Sequence, residues 1–189
     1  MFRFKQFAIR QENAAMKVGT DGALLGAWSN VSKANNILDI GTGTGIIAMM
    51  VAQRNSSAAI TAIEIDEKAL IDANFNVKNC PWNHRIKIIP SSLQEYTTTV
   101  KFDSIISNPP FFENSLKSNS GRKIKARHTD SLHYLDILNF AALHLSSNGI
   151  LHLILPVKNA EKCIEIALEL GFYLKRICKV QPVPHKNPH

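Results

Sequence analysis

The sequence predicts an α/β fold in which helices pack on both faces of a doubly wound, mostly parallel sheet. Strand-like and helix-like segments alternate from residue 36 onward. A glycine-rich turn follows the first of these strands, and polar residues follow several others. This order of elements is typical of parallel strands joined by crossover helices. Sheets of this kind bind ligands beyond the carboxyl ends of their strands, so we expect a site at that edge.

The spacing of apolar residues predicts each element in turn. Residues 2–11 alternate and predict a strand or hairpin, and residues 20–29 predict a short helix. The core elements are predicted, in chain order, as strand 36–41, helix 45–54, strand 59–65, helix 67–79, strand 86–91, strand 102–107, helix 133–146, strand 149–155, helix 158–170 and strand 172–181. Because there is no repeat or linker, we expect one domain over residues 1–189, with an amino-terminal segment at 1–30 and a core at 31–189.

The amino-acid composition favours a single intracellular domain. The chain has 189 residues, of which 45% are hydrophobic, enough to bury one sizeable core. It contains neither an apolar run long enough to cross a bilayer nor a signal-type stretch, so we expect a cytoplasmic protein without a membrane partner. The three cysteines are widely spaced and no predicted helix carries a His-x-x-x-His pair, so we expect no metal.

The glycine-rich turn, Gly41-Thr42-Gly43-Thr44-Gly45, lies between a predicted strand and a predicted helix. Glycines let the backbone approach a ligand closely, and the first turn of the helix offers free N–H groups. The spacing G-x-G-x-G differs from the G-x-G-x-x-G pattern of diphosphate-binding loops. Asp39, ahead of the turn, favours a cationic or amine-bearing ligand over a diphosphate.

An acid, Glu64, ends the second core strand nineteen positions after Gly45. An acidic residue at this place in a nucleotide-binding sheet reaches ribose hydroxyls. The alternative is a surface acid that merely ends a strand.

The most distinctive motif, Asn108-Pro109-Pro110-Phe111, follows the predicted strand 102–107. Two prolines remove consecutive backbone donors and keep the chain extended, so the Asn108 side-chain oxygen and the Pro109 carbonyl can both accept from one NH2 group. Phe111 offers a flat face on which a base or amide can stack. These features predict a pocket for a planar amide or amine. The alternative is a proline turn with Phe111 and Phe112 in the core.

Basic residues crowd the segment that follows this motif. The chain carries a formal charge of +7, which favours a polyanionic partner. The segment also contains serine and glycine but no acid, so it is predicted to be a mobile loop able to close on a nucleic acid backbone. A solvated basic loop is the alternative. A second basic group could extend the surface: Arg3, Lys5, Arg10 and Lys17.

Together these motifs resemble those of the class I S-adenosylmethionine-dependent methyltransferases that carry an Asn-Pro-Pro-aromatic motif. Three further stretches, at 2–7, 16–28 and 126–129, resemble the bacterial tRNA(Val) adenine-N6 methyltransferase family. The similarity covers nearly the whole chain. One departure is Ser91-Ser92, where such enzymes usually carry an aspartate for the cofactor adenine. A serine hydroxyl can still accept a hydrogen bond from an amino group.

The resemblance implies N6-methylation of the adenine next to the anticodon of tRNA(Val), with S-adenosylmethionine as cofactor and tRNA as partner. It implies the catalytic residues Asn108, Pro109, Pro110 and Phe111. The implied cofactor-binding residues are Lys17, Thr20, Asp21, Asp39, Gly41, Gly43, Gly45, Glu64 and Ser92. The implied substrate-binding residues are Lys117, Arg122, Lys123, Lys125 and Arg127.

Lys17, Thr20 and Asp21 are expected over the methionine end of the cofactor. The alternative for Thr20 and Asp21 is a helix N-cap. We expect a monomer whose sheet lacks the final antiparallel strand of that family.

Three other functions remain open on sequence grounds. A glutamine amide fits the same two acceptors, so the chain could be a glutamine-N5 protein methyltransferase, although those enzymes typically carry a helical domain ahead of the core. A nicotinamide-dependent oxidoreductase could use the same sheet, but it would need a diphosphate loop in place of Asp39-Ile40-Gly41. A non-catalytic RNA-binding domain is the third alternative.

Overall fold

The computed structural model describes residues 1–110 and 132–181. The strands, in chain order, are β1 (Phe2–Arg3), β2 (Ala8–Ile9), β3 (Asn36–Ile40), β4 (Ala59–Glu64), β5 (Ile86–Pro90), β6 (Phe102–Ser107) and β7 (Leu145–Leu153). The α-helices are α1 (Thr20–Trp28), α2 (Ile46–Arg54), α3 (Glu67–Lys78), α4 (Tyr134–His144) and α5 (Val157–Glu169). A short 3-10 helix, Asn83–Arg85, precedes β5.

Five parallel strands form the central sheet in the order β5-β4-β3-β6-β7. The chain builds β3, β4 and β5 in one direction and then returns to place β6 on the other side of β3. The order of strands therefore reverses between β3 and β6, which is where sheets of this type bind ligands. β1 and β2 form a separate antiparallel hairpin with Phe2 opposite Ile9. The predicted fold class and amino-terminal hairpin are thus confirmed.

The two faces of the sheet build two hydrophobic cores, because successive side chains of a strand point to opposite faces. Ile37 and Ile60 contribute to the first core, with residues of α1, α2 and α3. Leu38 and Ile63 contribute to the second core, with Ile137 of α4. Helices on both faces make the sheet doubly wound, and burial on both sides explains why its strands read as nearly continuous apolar runs.

The first helix packs against α2 through two glycines one turn apart. A Cβ atom on Gly22 would lie 3.6 Å from Ile46, and one on Gly26 would lie 2.8 Å from the Met50 sulfur. The absence of side chains at these positions lets the helix backbones approach closely and sets the first turn of α1 beside the start of α2. Within the described part of the chain, no helix is long and apolar enough to cross a membrane.

The strand predicted at 172–181 is wrong, because these residues form no strand in the structure. Gly171, with φ of +85°, ends α5, and the Phe172 N–H bonds the Ala167 carbonyl, as in a Schellman cap. The chain then runs over the surface, where Tyr173 is 92% exposed. Alternating apolar residues favour a strand only when a neighbouring strand accepts their backbone hydrogen bonds, and the described sheet ends at β7.

The boundary between α4 and β7 also differs from the prediction. The helix ends at His144, and the strand begins at Leu145 instead of residue 149. Leu145 pairs with Phe102, whereas Ile150 pairs with Ser104, so the intervening residues of β7 form a bulge. Gly149 permits this bulge, because a Cβ atom there would lie 2.8 Å from the Phe102 carbonyl oxygen.

Candidate active site

A cleft of about 210 Å³ lies at the carboxyl edge of the sheet, as the topology predicts. Residues at or just beyond the ends of β3, β4, β5 and β6 line it, together with part of the amino-terminal segment. The residues that matter for the chemistry are Gly41, Gly43, Glu64, Ser92, Asn108 and Pro110. The structure therefore brings together six of the predicted site residues in one cleft.

Only glycine fits the backbone of the predicted turn without strain, since Gly41, Gly43 and Gly45 have φ values of +68°, +57° and +82°. Gly41 and Gly43 line the cleft. Gly45 instead faces α3, where a Cβ atom would lie 3.6 Å from Val77 and 3.8 Å from the Ala73 Cα. A Cβ atom on Gly43 would meet no described atom within 4 Å, whereas one on Gly41 would lie 3.3 Å from Leu132 Cδ2. Gly43 thus leaves room for a ligand, and Gly45 lets α2 start close to α3.

Asp39 lies beneath the turn and is fully buried. Its Oδ2 accepts a hydrogen bond of 2.5 Å from the Thr42 hydroxyl and one of 3.2 Å from the Ala48 N–H. Burial raises the pKa of this carboxyl to about 7, against the hydrogen bonds from Thr42 and Ala48, and the nearby Glu64 carboxylate adds to the rise. Asp39 joins the turn to α2 and does not line the cleft, so its contact with a cofactor stays a prediction.

The Glu64 carboxylate joins the glycine turn to the chain that follows β4. Its Oε2 accepts a hydrogen bond of 2.7 Å from the Gly43 N–H, and its Oε1 accepts bonds of 2.9 Å from the N–H groups of Ile65 and Asp66. A carboxylate has about four lone-pair sites, so at least one acceptor position remains after these three bonds. The side chain lies at the tip of β4 and lines the cleft, as the spacing from Gly45 predicts.

Ser92 lines the cleft beyond β5. Its hydroxyl donates to Glu95 Oε2 at 3.1 Å and accepts from the Glu95 N–H at 3.2 Å. One lone pair of the hydroxyl oxygen is left for an amino group, as proposed from the sequence. The neighbouring Ser91 hydroxyl bonds the Ser92 carbonyl.

Asn108 has a buried side-chain oxygen that finds no hydrogen-bond partner among residues 1–110 and 132–181. An unpaired buried acceptor costs about 1 to 3 kcal/mol, so this atom is a ready site for a donor brought by a ligand. Asn108 and Pro110 line the cleft, and Pro109 is buried. The first turn of α1 lies close by, since a Cβ atom on Gly22 would lie 4.0 Å from Asn108 Nδ2. Phe111, the stacking residue of the motif, lies outside the described residues.

Lys17, Thr20 and Asp21 are not in the lining of the cleft. The Lys17 ammonium bonds the carbonyls of Gln11 and Ala14 at 2.7 and 2.9 Å, so it braces the amino-terminal segment. The N-cap of α1 is Gly19, and no side chain caps this end. The alternative that Thr20 or Asp21 is an N-cap is therefore wrong, and cofactor contacts by all three residues stay predictions.

Of the basic residues in the amino-terminal segment, some form ion pairs or hydrogen bonds within the fold and others are exposed. Arg10 bonds Glu12 at 3.0 Å and lies 3.4 Å from Asp72, so this charge is used within the fold. Arg3 and Lys5 are exposed on and beside the amino-terminal hairpin. The predicted substrate-binding residues Lys117, Arg122, Lys123, Lys125 and Arg127 lie outside the described residues.

Sequence reasoning missed the apolar walls of the cleft. Ile65 and Leu93, which follow the strand-end residues Glu64 and Ser92, line it, as does Leu132 ahead of α4. Their position directly after strand ends was the available signal. The segment Ala14–Met16 also lines the cleft. The sequence marked it only as part of the amino-terminal segment 1–30, which is expected to cover the cofactor, and Met16 as the start of the resembling stretch 16–28. Across residues 1–110 and 132–181, we find no cluster of three or more potential metal ligands.

Comparison with known proteins gives one family. The model described as "Methyltransferase small domain" matches residues 16–173. A protein of Trichodesmium erythraeum named tRNA1(Val) (adenine(37)-N6)-methyltransferase is 49% identical over 187 residues, which are 97% of this chain and 78% of that protein. A Flavobacterium psychrophilum protein with the same name is 43% identical and covers 97% of this chain and 80% of its own length.

A solved structure shares the fold. The crystal structure of an S-adenosylmethionine-dependent O-methyltransferase from Thermotoga maritima aligns with a TM-score of 0.63 and 16% identity. The alignment covers 91% of this chain and 59% of that one. At this identity the likeness concerns the fold alone.

Proposed function

The chain belongs to the methyltransferase small domain family, and we propose that it methylates N6 of the adenine next to the anticodon of tRNA(Val), with S-adenosylmethionine as cofactor. The printed names of the similar proteins support this substrate. The observation that carries the proposal concerns Asn108, which lines the same cleft as Glu64 and the glycine turn. Its buried side-chain oxygen finds no hydrogen-bond partner in the described part of the chain. The activity is assigned to one cytoplasmic, monomeric domain, residues 1–189, in which residues 1–30 help to cover the cofactor.

The residues of the cleft fit S-adenosylmethionine. Gly43 leaves open space beside the turn, Gly41 lines the cleft next to it, and Glu64 keeps an acceptor position for a ribose hydroxyl. Ile65 and Leu93 offer apolar walls to a base, and Ser92 keeps a lone pair for its amino group. When bound there, the cofactor supplies a methyl group on a sulfonium, which makes that methyl strongly electrophilic.

The role of Asn108 is to orient and activate the target nitrogen. The lone pair of an adenine N6 amine is delocalised into the ring, so this amine is a poor nucleophile. Hydrogen bonds from its two hydrogens to Asn108 Oδ1 and to the Pro109 carbonyl localise the lone pair and fix its direction. The N6 proton leaves for solvent after the methyl has transferred, so the motif needs no histidine or carboxylate as a base.

The target adenine must leave its stack to reach this amide. Phe111 is proposed to stack on the extruded base, and the basic residues of segment 117–127 are proposed to pair with tRNA phosphates. A glutamine amide also fits the two acceptors, so a protein substrate is the outcome against which the proposal is tested.

The test uses total tRNA from cells that lack the modification, incubated with the protein and labelled S-adenosylmethionine. Nucleoside mass spectrometry should recover N6-methyladenosine, and mapping should place it next to the anticodon of tRNA(Val). Label in protein but none in RNA would point to glutamine methylation and overturn the proposal. An Asn108→Ala sample is the matched control for a contaminating methyltransferase.

A further inference from the structure

Two buried polar side chains, Asp72 and Asn76, lie one turn apart on the same face of α3. Asp72 is fully buried and Asn76 is 2% exposed. Neither residue lines the cleft, and neither has a part in the proposed chemistry. Burial of polar groups is costly unless hydrogen bonds compensate, so their partners show what they do.

Asp72 holds the backbone of the amino-terminal segment. Its Oδ2 accepts hydrogen bonds from the N–H groups of Asn13 and Ala14, at 2.7 and 2.9 Å, and its Oδ1 accepts from Asn13 Nδ2 at 2.9 Å. Burial by itself would raise the pKa of this carboxyl, but the hydrogen bonds from Ala14 and Asn13 hold the pKa below its usual range. The Asp72 side chain is thus held as a carboxylate by its hydrogen bonds to this segment.

Asn76 joins the same segment to the glycine turn. Its Oδ1 accepts from the Arg10 N–H at 2.7 Å, and its Nδ2 donates to the Arg10 carbonyl at 2.8 Å. The second hydrogen of Nδ2 is donated to the Thr44 carbonyl at 2.9 Å. One amide therefore ties together residue 10 and the turn whose Gly41 and Gly43 line the cleft.

Hydrogen bonds to these two side chains attach segment 10–18 to the rest of the fold. Gln11 and Lys17 cross-link it internally, through bonds to Val18 and to main-chain carbonyls within the segment. Within the described chain, each hydrogen bond that joins it to another part of the fold ends on Asp72 or Asn76. The held segment includes Ala14, Ala15 and Met16, which line the cleft.

We propose that Asp72 and Asn76 are positioning residues for cofactor binding, because they fix residues 14–16 as a wall of the cleft in register with the glycine turn. This inference rests on the proposed function. Under the proposed function, residues 14–16 line the cleft together with the proposed cofactor-binding residues Gly43 and Glu64, whereas the target amine is held by Asn108. Loss of either side chain should therefore weaken cofactor binding and leave the transfer rate at saturating cofactor nearly unchanged.

The experiment measures S-adenosylhomocysteine affinity by calorimetry and methylation kinetics for Asn76→Ala and Asp72→Asn. We expect the dissociation constant and the KM for S-adenosylmethionine to rise about tenfold or more, with kcat within about threefold of wild type. Asn74→Ala is the matched control, because Asn74 is exposed on the same helix and bonds only the Leu70 carbonyl of that helix. It should change neither quantity.

Amide hydrogen exchange supplies an independent readout. Exchange at Asn13 and Ala14 should accelerate in Asn76→Ala and Asp72→Asn, whereas exchange in the central strands should not. If Asp72→Asn fails to fold, Asn13→Ala tests the same contact from the surface segment, and its dissociation constant should rise about two- to threefold.

The outcomes separate this inference from the proposed function. Wild-type protein that does not bind S-adenosylhomocysteine would overturn both. Wild-type protein that binds it, with folded Asn76→Ala and Asp72→Asn that bind equally well, would overturn the inference alone. So would a fall in kcat with unchanged KM, since that pattern belongs to residues that act on the transition state.

Discussion

At the scale of single residues, Glu64 combines an observed structural role with a proposed ligand contact. Its three backbone hydrogen bonds fix the glycine turn and the chain after β4, and the residue lines the cleft. A change at this residue therefore loosens the turn and, under the proposed function, also removes a contact with the cofactor.

Glu64→Ala should weaken S-adenosylhomocysteine binding by at least tenfold, because a hydrogen bond to a charged acceptor contributes about 1.5 to 3 kcal/mol. Calorimetry measures the effect. Glu64→Gln keeps one acceptor oxygen and should lose less affinity. Equal affinity in wild type and Glu64→Ala would show that the acid at the tip of β4 does not contact the cofactor.

Asn108→Ala should lower kcat by two or more orders of magnitude while cofactor affinity stays within a few-fold. The variant deletes the acceptor that orients the target amine and leaves the glycine turn intact. Ser104→Ala, in the strand that precedes Asn108, is the control, because the Ser104 hydroxyl is also buried and has no partner among the described residues. It should keep wild-type turnover. Near-normal turnover of Asn108→Ala would contradict the mechanism.

Asp39 should make folding stability fall as pH rises. Its pKa is about 7 in the folded protein against an ordinary value of 3.8, so between these values the folded state binds the extra proton. The stabilisation is complete below about pH 4 and is lost as pH approaches 7. Urea unfolding at pH 5 and pH 7 should show that Asp39→Asn gains stability relative to wild type over this interval. Identical pH dependence in both proteins would exclude the shift.

At the scale of elements, contact between α1 and α2 depends on the missing side chain of Gly26. A Cβ atom there would lie 2.8 Å from the Met50 sulfur and 3.0 Å from its Cβ, so the Met50 side chain would have to move or the helices to shift apart. This contact positions the start of α1 beside Asn108.

Gly26→Ala should destabilise the fold by about 1 to 3 kcal/mol, as expected for overpacking of a close interface. Denaturant unfolding measures the loss. Adding Met50→Ala removes the Met50 sulfur, which is the closest of the clashing atoms, so the double variant should lose less than the sum of the single effects. Strict additivity would mean that the two residues do not compete for the same space.

Two elements show that local sequence patterns are not sufficient to predict where a strand forms or begins. Residues 172–181 alternate like a strand, yet they lie on the surface without strand hydrogen bonds. The bulge in β7 likewise depends on how Phe102 and Ser104 pair with it, so the sequence of β7 alone could not indicate where that strand begins.

At the scale of the whole molecule, the net charge of +7 indicates a surface that attracts a polyanion. The residues predicted to carry this role, Lys117, Arg122, Lys123, Lys125 and Arg127, lie outside the described residues, so their contact with tRNA stays a prediction.

Changing Arg122, Lys123 and Lys125 together to alanine should flatten the log-log salt dependence of tRNA binding by roughly two units, because each phosphate contact contributes about 0.7 to 0.9. S-adenosylhomocysteine affinity should not change. Alanine at the exposed residues Lys33, Lys87 and Lys158 removes the same charge elsewhere and is the control. An unchanged slope in the first variant would assign the segment to the solvated surface.

The sequence by itself determined the class of fold and the edge that carries the site. Apolar periodicity, glycine turns and strand-end polar residues are local features, and they were sufficient to place Gly41, Glu64 and Asn108 at the ends of strands. These residues follow from local backbone preferences and from the parallel arrangement, which brings strand ends to one edge.

Only the tertiary structure decided which polar groups meet. Asp72 and Asn76 bond backbone groups 32 to 66 residues away, and a sequence pattern cannot distinguish such side chains from solvated ones on the outer face of a helix. Asp39 is predicted to favour a cationic ligand, and the structure adds that the turn folds over it and buries it, which the local sequence does not indicate. The physical reason is common to both cases: the free energy of a buried polar group depends on partners supplied by distant chain segments, and local sequence does not record their paths.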